Sequence, residues 1–142
     1  MLVHAHSGLR WVVLILMLTA IAKAFAGKGK SEYNEGDRKI FLFAMISFHT
    51  QWLIGLILYV HGLSIGKFHF IMDKTYDRFY AIEHIVAMTL AFVLITIGHS
   101  KSKKETEAGK KYKKVAVFYT IAFLIVLASI PWPFRNLGAN WF

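Results

Sequence analysis

Four long apolar runs, separated by short polar links, dominate this chain and leave it few possible folds. We predict one membrane-spanning helix in each run, over about residues 4–26, 39–62, 78–99 and 113–132. Each run approaches the ~20 residues that a helix needs to cross the hydrocarbon core of a bilayer. Hydrophobic residues make up 56% of only 142 residues, which leaves too little polar surface to cover a soluble globule. The sequence therefore predicts a single all-α integral membrane domain over residues 1–142.

The first apolar run is the shortest and least regular of the four, so a full membrane span there must include polar residues. From Trp11 to Ala26 it offers only sixteen residues, and Lys23 interrupts them. Lys23 can extend its ammonium group to the nearer interface, as long basic side chains do near helix ends. A full span must also take in upstream residues, which places His6 and Arg10 in or against the membrane.

Basic residues are concentrated in the links after the first and third runs, GKGKSEYNEGDRK and SKSKKETEAGKKYKK. Because positive charge favours the cytoplasmic side, we predict that these two links are cytoplasmic. Both termini and the link over 61–78 then face the periplasm of a bacterial inner membrane. Short links make consecutive helices antiparallel neighbours, so we expect an up-down-up-down four-helix bundle. The net charge of +9 comes largely from these links; this argues against a nucleic-acid partner and leaves membrane lipid as the surroundings.

Histidine carries most of the metal chemistry open to this chain, which has seven histidines and no cysteine. The lack of cysteine excludes disulfides, thiolate metal sites and iron–sulfur clusters. His6 begins the first helix. His84 lies six residues after Arg78, which puts it about 9 Å below the outer edge of the third helix. These two helices run in the same direction, so both histidines fall in the outer third of the bundle.

Two histidines at one depth on different helices of a four-helix bundle are what axial ligation of haem requires. We therefore predict one haem b with His6 and His84 as iron ligands, and with His4 or His49 as less favoured alternatives. His4 is an alternative because it flanks His6. His49 lies too deep to pair easily with His6, and three roles stay open for it: hydrogen-bonding a ligand from below, relaying a proton or helping to hold a quinone. The other three histidines are interfacial or lie in a loop.

Neighbouring residues extend the predicted haem site along both helices. Arg10 lies four residues after His6, hence on the same face, and could pair with a haem propionate. Arg135, near the outer end of the fourth helix, could do the same. Glu83 could pair with Arg10 or hold the second N–H of a histidine. His84 is followed at helical spacing by Ala87, Met88 and Ala91. Small residues at such positions would let a flat macrocycle approach the helix.

The chain resembles a group of short four-helix membrane proteins described as cytochrome b-like. The likeness lies in H-x-H-S-G-L-R-W at the start, H-x-Q-x-x-x-G-x-x-L-Y in the second helix, E-H-x-x-x-M in the third and I-P-W-P-F-R near the end. It covers almost the whole chain. The resemblance implies a haem protein without naming a reaction.

One half of haem A synthase, an enzyme built from two similar four-helix bundles, provides a second resemblance. There a histidine followed by arginine opens one helix, a Q-x-x-x-G helix comes next, and another histidine opens the helix after it. His6 with Arg10, Gln51 with Gly55, and then His84 follow the same order here. The resemblance implies that His6 and His84 ligate haem, and it adds Gln51 and Gly55 to the site. This chain differs in having no contiguous His-Arg pair and only one bundle.

Together these features predict a b-type cytochrome that transfers electrons between a quinol-type carrier and a partner protein. Iron with both axial positions filled is suited to outer-sphere electron transfer more than to oxygen binding. One haem cannot carry electrons across the full membrane, so we expect a redox partner or a larger membrane complex more than a stand-alone enzyme. Two alternatives stay open: a haem-processing enzyme or assembly factor related to haem A synthase, and a haem-free membrane protein that handles protons or metal ions.

Overall fold

The computed structural model describes all residues 1–142, which form four long helices and no strand. The helices are α1 (Leu2–Gly27), α2 (Glu35–Ser64), α3 (Thr75–Lys104) and α4 (Ala108–Ser129). A short 3-10 turn follows at Pro133–Arg135. Each of the four helices is long and apolar enough to cross a membrane. The predicted all-helical fold with four candidate membrane spans is therefore confirmed.

The helices extend past the predicted spans at most of their ends, because helical backbone continues from the apolar runs into charged residues. The start of α2 is capped by Asn34, whose side chain accepts a hydrogen bond from the N–H of Asp37. The end of α4 is the exception, since this helix stops at Ser129, short of the predicted residue 132. Pro131 favours extended backbone at Ile130 before it, and that conformation ends the helix.

The helices form a closed ring, in which α1 packs against α2 and α4, and α3 packs against the same two helices. Small residues on the packed faces allow the close approach. A Cβ on Gly98 of α3 would lie 2.3 Å from the Cβ of Phe118 on α4, so only glycine fits there. Alanines fill much of the remaining core, namely Ala20, Ala24, Ala44, Ala91, Ala116 and Ala122.

A buried polar network joins three helices at the end of the bundle that carries the links 28–34 and 105–107, here called the basic end. Asp37 of α2 accepts a hydrogen bond of 2.7 Å from the Tyr112 hydroxyl of α4 and pairs with Lys23 of α1 at 3.2 Å. Asp37 is only 7% exposed, so its carboxylate would be costly without these partners. Lys23, which interrupts the first apolar run, thus has a specific partner.

The opposite end, here called the terminal end, carries the first residues of α1, the α2–α3 link and the C-terminal segment 130–142. Trp11, Trp132 and Trp141 cluster there, with ring centroids 6.1 to 6.3 Å apart. The Trp11 indole N–H donates a hydrogen bond of 2.9 Å to the carbonyl of Trp141. These contacts hold the C-terminal segment against the start of α1.

Candidate functional site

A cavity of about 420 Å³ lies at the terminal end, lined by residues of all four helices and of the C-terminal segment. Its volume falls within the roughly 300–1,000 Å³ of small-molecule and cofactor sites. Most of the lining is apolar or aromatic. Seven of the residues predicted for the haem site line it together: His4, His6, Arg10, Gln51, Gly55, His84 and Met88.

His84 follows a π-helical turn in α3, formed by Phe79–Glu83. Such turns occur mostly as single-turn bulges inside α-helices, and frequently at functional sites. The Nδ1 of His84 donates a hydrogen bond of 2.8 Å to the carbonyl of Ser129. Ser129 is the last residue of α4, and carbonyls in the last turn of a helix have no partner within the helix. The contact therefore gives the Ser129 carbonyl a hydrogen-bond partner and fixes the orientation of the His84 ring. The Nε2 of His84 then carries the lone pair that is available to a ligand.

The His6 ring lies on the α1 side of the same cavity, against a position of α2 that has no side chain. A Cβ added to Gly55 would be 3.0 Å from the His6 Cε1. One turn earlier in α2, the Gln51 side-chain NH₂ donates a hydrogen bond of 2.8 Å to the main-chain carbonyl of His6. The Q-x-x-x-G spacing thus gives α2 one residue that holds the backbone of His6 and one that makes room for its ring.

Unpartnered polar atoms are concentrated around this cavity. The chain has four buried side-chain nitrogen or oxygen atoms without a hydrogen-bond partner, and three of them belong to cavity residues: His6 Nδ1, Arg10 Nε and Gln51 Oε1. A buried polar atom left without a partner costs about 1–3 kcal/mol. All three belong to residues that line one cavity, so the chain leaves several buried polar atoms unsatisfied in this region.

Arg10 is a buried cation without an acidic partner. It is 8% exposed, and its guanidinium donates hydrogen bonds to the carbonyls of Trp141 at 2.7 Å and Asn140 at 3.4 Å. The guanidinium also lies 5.5 Å from the Trp11 ring and 5.8 Å from the Trp132 ring. No Asp or Glu lines the cavity, whereas Lys67 does. Because buried charges are normally paired, the site favours an anionic ligand group near Arg10.

Two charged residues predicted for the site lie outside the cavity. Glu83 is exposed and pairs with Arg78 at 2.8 Å, so it pairs neither with Arg10 nor with a histidine N–H. Arg135 donates hydrogen bonds to the carbonyl of Ala128, in the last turn of α4, and to that of Ile130 just after the helix. Both side chains already have partners where they lie, and we leave them out of the site.

Three further predicted residues also lie outside the cavity. Ala91 is fully buried in the helical core, about 10 Å farther along α3 than His84, and Ala87 does not line the cavity either. His49 serves the contact between α2 and α3. Its Nε2 donates a hydrogen bond of 2.9 Å to the Thr96 hydroxyl, and its ring lies 4.2 Å from the ring of Phe92.

Several residues that line the cavity were not among those predicted for the site. The aromatic wall is formed by Trp52, Tyr59, Phe68 and Tyr80. Tyr59 lies in the quoted second-helix motif and could have been found there, since its hydroxyl donates to the carbonyl of Ala81 within the π-helical turn. The contribution of Ser129 comes from its main chain and leaves no signal in the sequence.

No three or more His, Asp or Glu side chains are grouped so as to hold a metal ion by themselves. A porphyrin needs only one or two ligands from the protein, because it surrounds its iron with four nitrogens. Comparisons with known protein families, with characterised proteins and with solved structures find no match for this chain. A functional assignment therefore depends on the geometry and chemistry of this cavity.

Proposed function

We propose that this chain is a four-helix membrane b-type cytochrome that binds one haem b in the cavity at the terminal end, with His6 and His84 as iron ligands. The proposal is carried by the two histidines that line one cavity from different helices, His6 of α1 and His84 of α3. It is supported by the His84 ring, whose Nδ1 is held by a carbonyl. Histidines that ligate a metal are commonly oriented through their second nitrogen in this way.

The other cavity residues have separate roles in this proposal. Gln51 holds the main chain at His6, and Gly55 leaves room for its ring. Arg10 needs an anion, and a haem propionate would supply one. Met88 adds a flexible, polarizable side chain to the cavity wall. When bound, the haem supplies a one-electron Fe(III)/Fe(II) couple.

The same proposal has the four helices cross a bacterial inner membrane in an up-down-up-down arrangement, with both termini in the periplasm. Support comes from the length and apolar character of every helix. The pairing of Lys23 with Asp37 at the basic end, and of Gln51 with His6 at the terminal end, is what antiparallel neighbours would produce. Lysines concentrated at the basic end favour its cytoplasmic location.

The proposed activity is electron transfer between a quinol-type carrier in the membrane and a partner protein at the periplasmic face. The cavity lies at the end of the bundle that this topology turns toward the periplasm. Two histidine ligands would leave iron no open position for oxygen, which suits electron transfer. The chain's own part is to hold both imidazoles, to neutralise the anionic end of the ligand and to keep the ligand among apolar side chains.

The test is the visible spectrum of the wild-type protein, purified in detergent from haem-replete cells and then treated with a short-chain quinol. We expect sharp low-spin b-type bands that the quinol reduces, with dithionite giving the full reducible amount. A colourless protein would contradict the proposal and favour the haem-free alternative. A haem that dithionite reduces and the quinol does not would remove the quinol from the proposal and favour a haem-processing or assembly role.

A further inference from the structure

A second cavity, of about 340 Å³, lies at the basic end, against the first turns of α4 and the link that precedes this helix. It is separate from the candidate haem site and shares no lining residue with it. Three lysines and one glutamate give its lining a net positive charge, and two apolar residues complete it. The lining residues are Glu105, Lys110, Lys113, Lys114, Val117 and Phe118.

The positive charge of this basic cavity is only weakly compensated. The Lys114 ammonium lies 3.9 Å from the Glu105 carboxylate, and the Lys110 ammonium lies 3.1 Å from Glu107 at the surface. Exposed ion pairs of this kind contribute little and exchange readily with other partners. Lys113 forms no ion pair. The lysines are therefore available to an anion.

The basic cavity continues into an apolar stripe along one face of α4. Residues 110, 114, 117, 121 and 124 are spaced by four and three, so they lie on the same face of the helix. The first two are lysines, and the next three are hydrophobic and 46%, 46% and 59% exposed, namely Val117, Ile121 and Leu124. From Lys114 to Leu124 the helix rises about 15 Å. That is half of the ~30 Å hydrocarbon core, the depth of one leaflet.

We propose that the basic cavity and this stripe form a binding site for an anionic phospholipid. The phosphate contacts Lys110, Lys113 and Lys114. One acyl chain lies along the stripe formed by Val117, Ile121 and Leu124. Clusters of basic residues at the cytoplasmic end of a membrane helix attract anionic lipid headgroups, with about 1 kcal/mol for each Lys or Arg near the surface. The inference rests on the proposed membrane insertion, and it is independent of haem.

The experiment uses native mass spectrometry of the detergent-purified full chain with added phosphatidylglycerol, and with phosphatidylcholine as the uncharged reference. The variant is K110Q/K113Q/K114Q. Its matched control, K28Q/K30Q/K39Q, removes the same charge from exposed lysines near the other link of the basic end. We expect phosphatidylglycerol binding to fall about tenfold in the first variant and less than about twofold in the control. Circular dichroism checks that both variants keep the wild-type helix content.

The other outcomes overturn the proposal in distinguishable ways. Equal loss in the two triple variants would show that charge alone, and not this cavity, attracts the lipid. Wild-type protein that binds both lipids equally would refute the site and leave membrane insertion standing, whereas binding of neither lipid would count against insertion itself. Glycerol phosphate that displaces the lipid at equal concentration would replace the lipid site with a simple anion site, because the acyl chain would then contribute nothing.

Discussion

At the scale of single residues, the site depends on a few contacts that leave little room for change. The His6 ring leaves little space at position 55, where an added Cβ would lie 3.0 Å from the His6 Cε1. The His84 ring depends on one carbonyl at the end of α4. Arg10 is held by two main-chain carbonyls of the C-terminal segment and by no acidic side chain. The contacts at Gly55 and Arg10 can be altered by substitution without removing a proposed iron ligand.

Gly55→Ala should separate haem binding from folding. The added methyl group would lie 3.0 Å from the His6 Cε1, so the ring must shift by a few tenths of an ångström. Crowding of this kind costs about 1–3 kcal/mol, and we expect haem affinity to fall about tenfold. Alanine is the better helix former by about 1 kcal/mol, so the helix content should not fall. Haem titration followed by absorbance measures the affinity. Gly8→Ala is the control, because nothing lies within 4 Å of its added Cβ; equal losses in the two variants would contradict the proposed role of Gly55.

Arg10→Gln should lower haem affinity by about tenfold or more, because a charge-assisted hydrogen bond contributes about 1.5–3 kcal/mol. Arg135→Gln should change it less than about twofold, since Arg135 is exposed and outside the cavity. Competition of each variant with a haem-binding apoprotein measures the difference. An equal effect of the two substitutions would mean that Arg10 acts only through general charge or through the C-terminal segment.

At the scale of elements, the number and type of helices could be predicted, because four apolar runs of this length have few alternatives. The depth of His6 and His84 followed from the same runs, and the structure brings both into one cavity. The direction in which side chains face could not be predicted. Helix rotation and local partners decide it, which is why Glu83 and Arg135 lie outside the cavity. The π-helical turn before His84 also has no sequence signature.

Tyr59→Phe should loosen this π-helical turn without dissolving α3. The lost hydrogen bond from the Tyr59 hydroxyl to the carbonyl of Ala81 contributes about 1 kcal/mol, which corresponds to about fivefold faster opening. Hydrogen exchange of the amides over 79–84, measured by mass spectrometry, reports the change. Tyr76→Phe is the control, because Tyr76 is not among the tyrosines whose hydroxyl groups form hydrogen bonds, which are Tyr59, Tyr80, Tyr112 and Tyr119. Unchanged exchange in Tyr59→Phe would exclude a role for this contact in the turn.

At the scale of the whole molecule, the two ends of the bundle differ in chemistry. The basic end holds the Asp37 network and the lysine-rich cavity, whereas the terminal end holds the tryptophan cluster and the candidate haem site. The charge distribution along the sequence predicted that both lysine-rich links lie on one side, whereas the Asp37 network was not predicted. The proposed topology turns the basic end toward the cytoplasm and the terminal end toward the periplasm.

Single cysteines test this topology directly, because the chain has none of its own. Asp73→Cys and Asn140→Cys, at the terminal end, should react with a membrane-impermeant maleimide in spheroplasts. Ser31→Cys and Thr106→Cys, at the basic end, should react only after the membrane is permeabilised. All four positions are exposed, so accessibility within the protein is matched. The reverse labelling pattern would invert the proposed orientation, and labelling of all four in intact spheroplasts would argue against insertion.

The central proposal is that His6 and His84 together hold one haem, and the oxidised and dithionite-reduced spectra of two ligand variants test it most directly. We predict that His6→Ala and His84→Ala each lose the low-spin b-type bands or become high-spin. His99→Ala, which removes a histidine of α3 far from the cavity, should keep the wild-type spectrum. Low-spin bands that survive in both ligand variants would contradict the proposal and move the iron away from this cavity.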